Sequence, residues 1–149
     1  MASAWLGYRN FRPSEHFRRW NVNWNTWRSE DTGGDGGGMG ADVNANLQFH
    51  NYWNAWGGMG VNVGSVSTSM LRGGPAIRTE DRVNAWAGFN SDGRRDVQLN
   101  VNMNVSAAPE SDSWSFNVGP SLRWRPEGRL QMQVGTFWSE SRNDRQWVS

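Results

Sequence analysis

Several residue types are missing from this chain of 149 residues. It contains no cysteine, which excludes disulfide bonds, thiolate catalysis and cysteine-ligated metal sites. It also contains no lysine, so all 15 basic residues are arginine, and with 14 acidic residues the net charge is +1. This balance gives no bulk attraction to nucleic acid, and we expect no nucleic-acid partner.

Long apolar runs are also missing. No stretch of about 18 consecutive apolar residues occurs, so a transmembrane helix is excluded. A transmembrane β-barrel stays open, because its strands alternate lipid-facing and lumen-facing residues and the average hydropathy conceals them. Residues 1–5 lack the charged and apolar regions of a signal peptide, so we expect that the signal of an exported parent protein has been removed or lies on a longer precursor.

Strict two-residue alternation is the strongest pattern that is present. In residues 97–106, five apolar side chains alternate with Gln98, Asn100, Asn102, Asn104 and Ser106. Successive side chains of a strand point to opposite sides, so this segment predicts a strand with one apolar and one amide-rich face. The same alternation predicts strands within residues 20–25, 43–50, 55–66, 83–90, 114–124 and 130–139, with residues 4–11 as a candidate eighth.

Turn signals separate these strands. A turn is predicted near Asn51, and residues 91–94 predict a tight hairpin, because Asp92-Gly93 tolerates the positive φ that such a turn requires. Residues 108–112 and 125–128 predict short connections, whereas residues 30–40 and 67–82 predict long ones at the opposite rim. The expected fold is all-β: one antiparallel up-and-down meander of about 7–8 strands over residues 1–149, forming a β-barrel that closes alone, by oligomerisation or within a larger barrel.

The amide-rich face predicts a polar lumen. Asn is a poor strand former, and a soluble sheet usually carries Thr, Lys, Glu and Arg on its outer face. The predicted lumen-lining residues are Asn44, Asn46, Gln48, Asn84, Gln98, Asn100, Asn102, Asn104, Asn117, Gln131 and Gln133. A soluble sheet with an Asn-rich outer face, or an amide ladder of the ice-binding or amyloid-like kind, stays open as an alternative.

Tryptophan is unusually frequent, with 11 residues in the chain. Aromatic residues that bracket an apolar band are typical of the girdles at a membrane interface. The predicted girdle residues are Trp20, Trp24, Trp114, Trp124 and Trp138. In a soluble sandwich, the same residues would cap the core.

No catalytic, cofactor or metal site is predicted. His16 and His50 are the only histidines, and they lie on different segments without metal-ligand spacing. The glycine-rich residues 33–40 lack the ending of a phosphate-binding loop, and no nucleophile–base pair is evident. The carboxylate pairs at 80–81 and 110–112 lie in predicted loops, where solvated charge is the plain interpretation, so we expect no enzymatic activity.

Several stretches, in order along nearly the whole chain, resemble the uncharacterised bacterial outer-membrane-type β-barrel domain that follows a family-9-like carbohydrate-binding domain. They are residues 7–10, 17–22, 51–53, 91–92 and 144–148 and the most specific motif, Leu71, Arg72, Gly73, Gly74 and Pro75. The resemblance implies an exported barrel associated with surface carbohydrate handling or transport, without catalytic residues that could be carried over. The preceding domain is missing and residues 146–149 lack a terminal aromatic, so we expect a fragment, a short relative or an engineered piece.

The leading hypothesis is a non-enzymatic barrel in the bacterial outer membrane that acts as a pore, anchor or export scaffold. Its expected partners are membrane lipid or detergent, other copies or further strands of a larger barrel, and carbohydrate. The alternative is a soluble β-sheet module that binds carbohydrate on exposed tryptophans or self-assembles, with its apolar faces packed together as a sandwich or a self-assembled sheet. A hydrolase has only the loop carboxylates and the implied carbohydrate association behind it.

Overall fold

The strands follow the alternation of the sequence, and all of them join one sheet. The computed structural model describes residues 1–30, 37–67, 77–126 and 130–144. The strands are β1 (Ala2–Asn10), β2 (Phe17–Glu30), β3 (Gly37–Phe49), β4 (Asn54–Ser67), β5 (Ile77–Arg78), β6 (Arg82–Asn90), β7 (Val97–Ala107), β8 (Trp114–Trp124), β9 (Met132–Gly135) and β10 (Trp138–Arg142). The loop motif at residues 71–75 lies outside the described residues.

The sheet is an antiparallel meander in the order β1-β2-β3-β4-β6-β7-β8-β10. The short β5 pairs with the end of β4. Both β9 and β10 pair with β8, so together they form one interrupted strand along its free side. Within the described residues β1 does not pair with this last strand, so the sheet is open at two edges. The predicted all-β antiparallel meander is confirmed.

Most predicted boundaries agree with the structure. The candidate eighth strand is β1, and the turn near Asn51 separates β3 from β4. Two backbone hydrogen bonds close this turn, from Phe49 N–H to the Trp53 carbonyl at 2.9 Å and from Tyr52 N–H to the Phe49 carbonyl at 3.0 Å. Tyr52 has a φ of 66°, a left-handed conformation that is uncommon for a residue other than glycine.

The turn predicted at residues 91–94 is wrong in type. Residues 91–96 connect β6 to β7, and neither Asp92 nor Gly93 has a positive φ. The Asp92 carboxylate instead accepts hydrogen bonds from the Arg94 backbone N–H at 3.0 Å and from the Arg94 guanidinium at 2.9 and 2.7 Å. The Asp92 side chain, rather than a left-handed glycine, therefore shapes this loop.

The strand predicted at residues 130–139 is divided into β9 and β10. Thr136 N–H donates to the Pro120 carbonyl at 3.0 Å, but proline has no N–H with which to return the second hydrogen bond of the pair. Between β2 and β3, the predicted long break at residues 30–40 is shorter, because β3 begins at Gly37. The short connection at residues 108–113 lies at the same rim as the long one at 68–81, so short and long connections are not separated as predicted.

The sheet is a single layer with almost no buried core. Among the described residues, Ala108 is the one buried hydrophobic residue, at 2% exposure, and the buried polar residues are Asp92 and Ser113. No helix in the described part of the chain has the length and hydropathy needed to cross a membrane. The apolar side chains of the strands are thus left without a second layer of this chain to pack against.

Candidate functional site

The strand register assigns the strand residues to two faces, because directly paired residues lie on the same side of a sheet. Of the predicted lumen residues, Asn44, Asn46, Gln48, Asn84, Gln98, Asn100, Asn102, Asn104, Asn117 and Gln133 all share one side, which we call the amide face. Gln131 immediately precedes β9. The register thus brings amides from β3 to β9 onto one continuous surface.

Hydrogen bonds join many of these amides across neighbouring strands. Asn23 donates to the Asn44 side-chain carbonyl at 2.9 Å, and Asn25 donates to the Asp42 carboxylate at 2.7 Å. Asn44 then donates along its own strand to the same Asp42 oxygen at 2.9 Å. Further amide pairs are Gln48 to Asn54 at 3.1 Å, Asn102 to Asn100 at 2.6 Å and Asn100 to Asn90. The amide face is therefore partly satisfied within itself.

Tryptophan rings on the amide face lie over glycines of the adjacent strand. Trp56 is paired with Gly88, and Trp86 is paired with Gly58, so β4 and β6 make a reciprocal arrangement. A Cβ added at Gly58 or Gly88 would meet the facing ring at 2.5 Å. Only glycine leaves room for these rings, an arrangement known as aromatic rescue of strand glycines.

Sequence analysis placed these two tryptophans in strands but missed their contact with glycine. A Trp-x-Gly spacing, at residues 56–58 and again at residues 86–88, is the sequence feature that could have predicted these contacts. Trp27 of β2 makes the same kind of contact, because a Cβ at its paired residue Gly40 would meet the ring at 2.3 Å.

Four grooves lie along the amide face; one of them, of about 390 Å³, is lined by Trp27, Glu80 and Arg82 among others, and the other three adjoin one another. The first, of about 270 Å³, is lined by Arg9, Arg19, Asn46, Gln48 and Trp56 among others. The second, of about 440 Å³, shares Asn54 with the first, and the third, of about 400 Å³, shares Asn100 and Ser121 with the second. The lining of these three grooves includes arginines but no Asp or Glu. Arginine side chains without a carboxylate therefore line the first two of these grooves, Arg9 and Arg19 in the first and Arg123 in the second.

The opposite side of the sheet, which we call the apolar face, carries exposed hydrophobic side chains. Met59 is 61% exposed, Val97 is 51% exposed and Met103 is 44% exposed. Other exposed apolar residues of this face are Leu6, Tyr8, Met39, Val61, Val83, Val105, Leu122, Met132 and Val134. They extend from one edge of the sheet to the other.

All five predicted girdle tryptophans lie on the apolar face, at different positions along the strands. Trp114 and Trp124 occupy the two ends of β8, about 33 Å apart along an extended strand. Trp20 and Trp24 flank Val22 within β2, whereas Trp138 pairs with Val118 inside β8. The structure therefore places one pair at the strand ends and the other three tryptophans further inside.

Arginine–aromatic contacts join the loops at one rim. The Arg18 and Arg94 guanidinium carbons lie 4.0 and 3.2 Å from the centre of the Tyr52 ring. The hydrogen bond from Arg94 lowers the pKa of Asp92 to about 2 and raises that of Arg94. Arg125 continues the chain of contacts by donating to the Gly93 carbonyl at 2.8 Å. This rim is held together by side chains of three separate loops and of β2.

Comparison with known proteins assigns the chain to a family. All of residues 1–149 match the family described as a domain of unknown function (DUF5916). The chain belongs to this family. Neither a curated protein nor a solved structure matched the chain. The expected resemblance to an uncharacterised domain is thereby confirmed at the level of the family.

The potential catalytic and metal-binding groups of this DUF5916 domain lie at its two rims, and at one of them Asp81 and Glu110 both contact the Arg78 guanidinium, at 3.3 and 3.6 Å. Within the described residues, no group of three or more His, Cys, Asp or Glu side chains is arranged to hold a metal ion. His50 Nε2 lies 2.8 Å from the Ser14 carbonyl, in a contact between two loops. Glu110 and Asp112 form exposed ion pairs with Arg78 and Arg142, at 3.6 Å in each case. These positions fit structural or solvated roles.

Proposed function

We propose that this DUF5916 domain forms the wall of an outer-membrane-type β-barrel in a bacterium. The apolar face contacts lipid, and the amide face lines a polar lumen. The domain acts without enzymatic chemistry, as a pore, an anchor or an export scaffold that serves surface carbohydrate handling or transport.

The observation that carries the proposal is an exposed apolar face on a sheet that has almost no core. Soluble monomers rarely expose a contiguous apolar patch of more than a few hundred Å². Fully burying a Val, Leu or Met side chain contributes about 1.5–3 kcal/mol, and exposed side chains of this kind occur on β1, β3, β4, β6, β7, β8 and β9. Lipid is the environment in which this face gains that contribution without another protein layer.

The strand lengths agree with this assignment. A membrane-crossing strand needs about 9–11 residues, and the long strands of the sheet have 9 to 14. The two free edges, β1 on one side and β9 with β10 on the other, carry unpaired backbone groups that cost several kcal/mol each in hydrocarbon. We therefore propose that these edges are paired in the membrane, by further strands or by other copies of the chain.

Partitioning tests the proposal. The protein is refolded with and without detergent, mixed with lipid vesicles and separated on a density gradient. We expect it to need detergent for solubility and to float with vesicles in a form that resists extraction at high pH and high salt. A monodisperse soluble monomer without detergent would contradict the proposal.

A second candidate is a soluble module that binds carbohydrate. The arginine- and amide-lined grooves of the amide face favour it, because indole rings such as that of Trp56 offer an apolar surface to a sugar ring and amides pair with hydroxyl groups. In that case the apolar face packs against a second sheet. Titration of the detergent-free protein with neutral and acidic oligosaccharides, followed by tryptophan fluorescence, tests it, and a flat response to all of them would exclude it.

A further inference from the structure

In one row of the amide face, the facing side-chain amides are not hydrogen-bonded to each other, unlike those of the adjacent row. Register places Arg9, Asn21, Asn46 and Trp56 side by side across β1 to β4, and we call these four residues the open row. In the adjacent row, Asn23 donates to Asn44 at 2.9 Å. Asn21 and Asn46 face each other in the same way, yet neither side chain has a hydrogen-bond partner among the described residues.

Two arginines lie together beside these amides. Arg9 is directly opposite Asn21, and Arg19 lies two residues from Asn21 on the same face. The two arginines are therefore diagonal neighbours on adjacent strands, with their Cα atoms about 7–8 Å apart. Neither arginine forms an ion pair with a described residue. Both side chains line the same groove, and an anion bound there would accept charge-assisted hydrogen bonds from their guanidinium groups.

The open row also has space beside it. Arg9, Arg19, Asn21, Asn46 and Trp56 line the same groove, of about 270 Å³, together with Gln48. With strands about 4.8 Å apart, the row spans about 14 Å from Arg9 to Trp56. The Trp56 ring lies over Gly88, where an added Cβ would meet it at 2.5 Å. Charge, amides and an aromatic ring therefore follow each other in one short groove.

We propose that the open row binds an acidic saccharide. Arg9 and Arg19 hold its carboxylate or phosphate ester, Asn21 and Asn46 pair with its hydroxyl groups, and the Trp56 ring packs against a sugar ring. The inference rests on the proposed function only in that the amide face is the surface that meets solute. It does not depend on whether lipid covers the apolar face.

The sparse charge of the groove favours a saccharide over nucleic acid. Each strand of DNA carries one negative charge per about 3.4 Å, so a row of about 14 Å would meet roughly four phosphates of one strand. The groove offers two arginines. Its unpaired amides instead match the neutral hydroxyl groups that dominate a saccharide.

Titration of the folded protein in detergent tests the ligand class. The probes are trigalacturonic acid, glucose 6-phosphate, neutral galactotriose and a short thymidine oligonucleotide, followed by calorimetry. We expect trigalacturonic acid or glucose 6-phosphate to bind, and the stronger of the two identifies the anionic group. Binding should weaken as salt is added. Equal binding of galactotriose, or tighter binding of the oligonucleotide, would overturn the proposal.

Matched variants locate the site. Arg19→Gln should weaken binding of the acidic probe by about tenfold or more, and Asn46→Ala by about fivefold. Trp56→Phe should weaken it as well, whereas Trp86→Phe should leave it unchanged, because Trp86 contacts glycine in the same way but does not line this groove. Equal effects of the two tryptophan variants would contradict the assignment.

The outcomes separate this inference from the membrane proposal. A protein that binds trigalacturonic acid but stays a soluble monomer without detergent would overturn the membrane role and support the open row. A protein that inserts into vesicles but binds neither acidic probe would support the membrane role and overturn the open row.

Discussion

The two faces of this sheet are built from the same strands, yet they differ in how far their side chains are covered by the chain itself. On the amide face, polar side chains form hydrogen bonds with one another, and tryptophan rings lie over glycines of the adjacent strand. Many side chains of this face therefore have partners within the chain. On the apolar face, residues such as Met59 and Val97 remain exposed, and no layer of the described chain covers them. The comparison indicates that the amide face is organised within the chain, whereas the apolar face finds a partner only in the role proposed above.

The largest expected effect comes from placing a charge on the apolar face. Met103→Arg should destabilise the protein in lipid vesicles by about 2–4 kcal/mol, because the guanidinium would enter hydrocarbon. Asn102→Arg is the matched control, since Asn102 is the next residue and lies on the amide face. Urea unfolding in vesicles measures the free energy of unfolding of both variants. Equal losses of this free energy would contradict the assignment of the two faces to different environments.

The next effect concerns the glycines under the tryptophan rings. Gly88→Ala should cost about 1–3 kcal/mol, because its Cβ would meet Trp56 at 2.5 Å and the Val101 backbone carbonyl at 2.8 Å. Gly93→Ala provides the control, since nothing lies within 4 Å of a Cβ there and its φ is ordinary. Unfolding free energies of the two variants decide the matter, and a harmless Gly88→Ala would mean that the rings move freely.

A smaller effect separates paired from unpaired amides. Asn23→Ala should cost about 1 kcal/mol, because it removes the hydrogen bond of 2.9 Å to Asn44. Asn21→Ala should change stability by less than about 0.5 kcal/mol, because its side chain has no partner among the described residues. If denaturant titration gives the two variants the same loss, the self-pairing of the amide face has no energetic consequence.

The smallest expected effect lies at the rim, outside both faces. The pKa of Asp92 is lowered from 3.8 to about 2, chiefly by its hydrogen bond to Arg94. The folded-state pKa is the lower one, so this group stabilises the fold above about pH 4 and loses that contribution as pH falls from there towards 2.

Asp92→Asn checks this rim contribution. The stability difference between parent and variant should be constant from pH 5 to 7 and should shrink between about pH 4 and 2, with the same trend in detergent and in vesicles. Denaturant midpoints along a pH series measure it. A difference that does not change with pH would exclude the Asp92 carboxylate as the source.

The sequence predicted the two faces well because a period of two residues depends only on the strand itself. The alternation in residues 97–106 was enough to place Asn104 and Val105 on opposite sides, as the register has them. Features that depend on which strand lies alongside were not accessible. The contact of Trp56 with Gly88 joins residues more than thirty positions apart, and it requires the register of β4 against β6.

Local competition explains the errors in the connections. Asp92-Gly93 has the composition of a tight turn, but the carboxylate binds the Arg94 backbone and guanidinium, and the loop follows that interaction. The last strand breaks opposite Pro120, an effect that the strand's own residues 130–139 do not reveal. The open row was equally hidden, because Arg9 and Asn46 share a row only through Asn21 of β2, which requires the register of β1 against β2 and of β2 against β3.

Quenching of tryptophan fluorescence by brominated lipid tests the central claim most directly, because it compares the two faces in one membrane. Trp24 and Trp124 lie on the apolar face, and Trp27 and Trp86 lie on the amide face. We predict that Trp24→Phe or Trp124→Phe lowers the fraction of fluorescence that brominated lipid quenches, whereas Trp27→Phe or Trp86→Phe raises it. Changes of the same sign on both faces, or no quenching of the parent protein, would contradict the account.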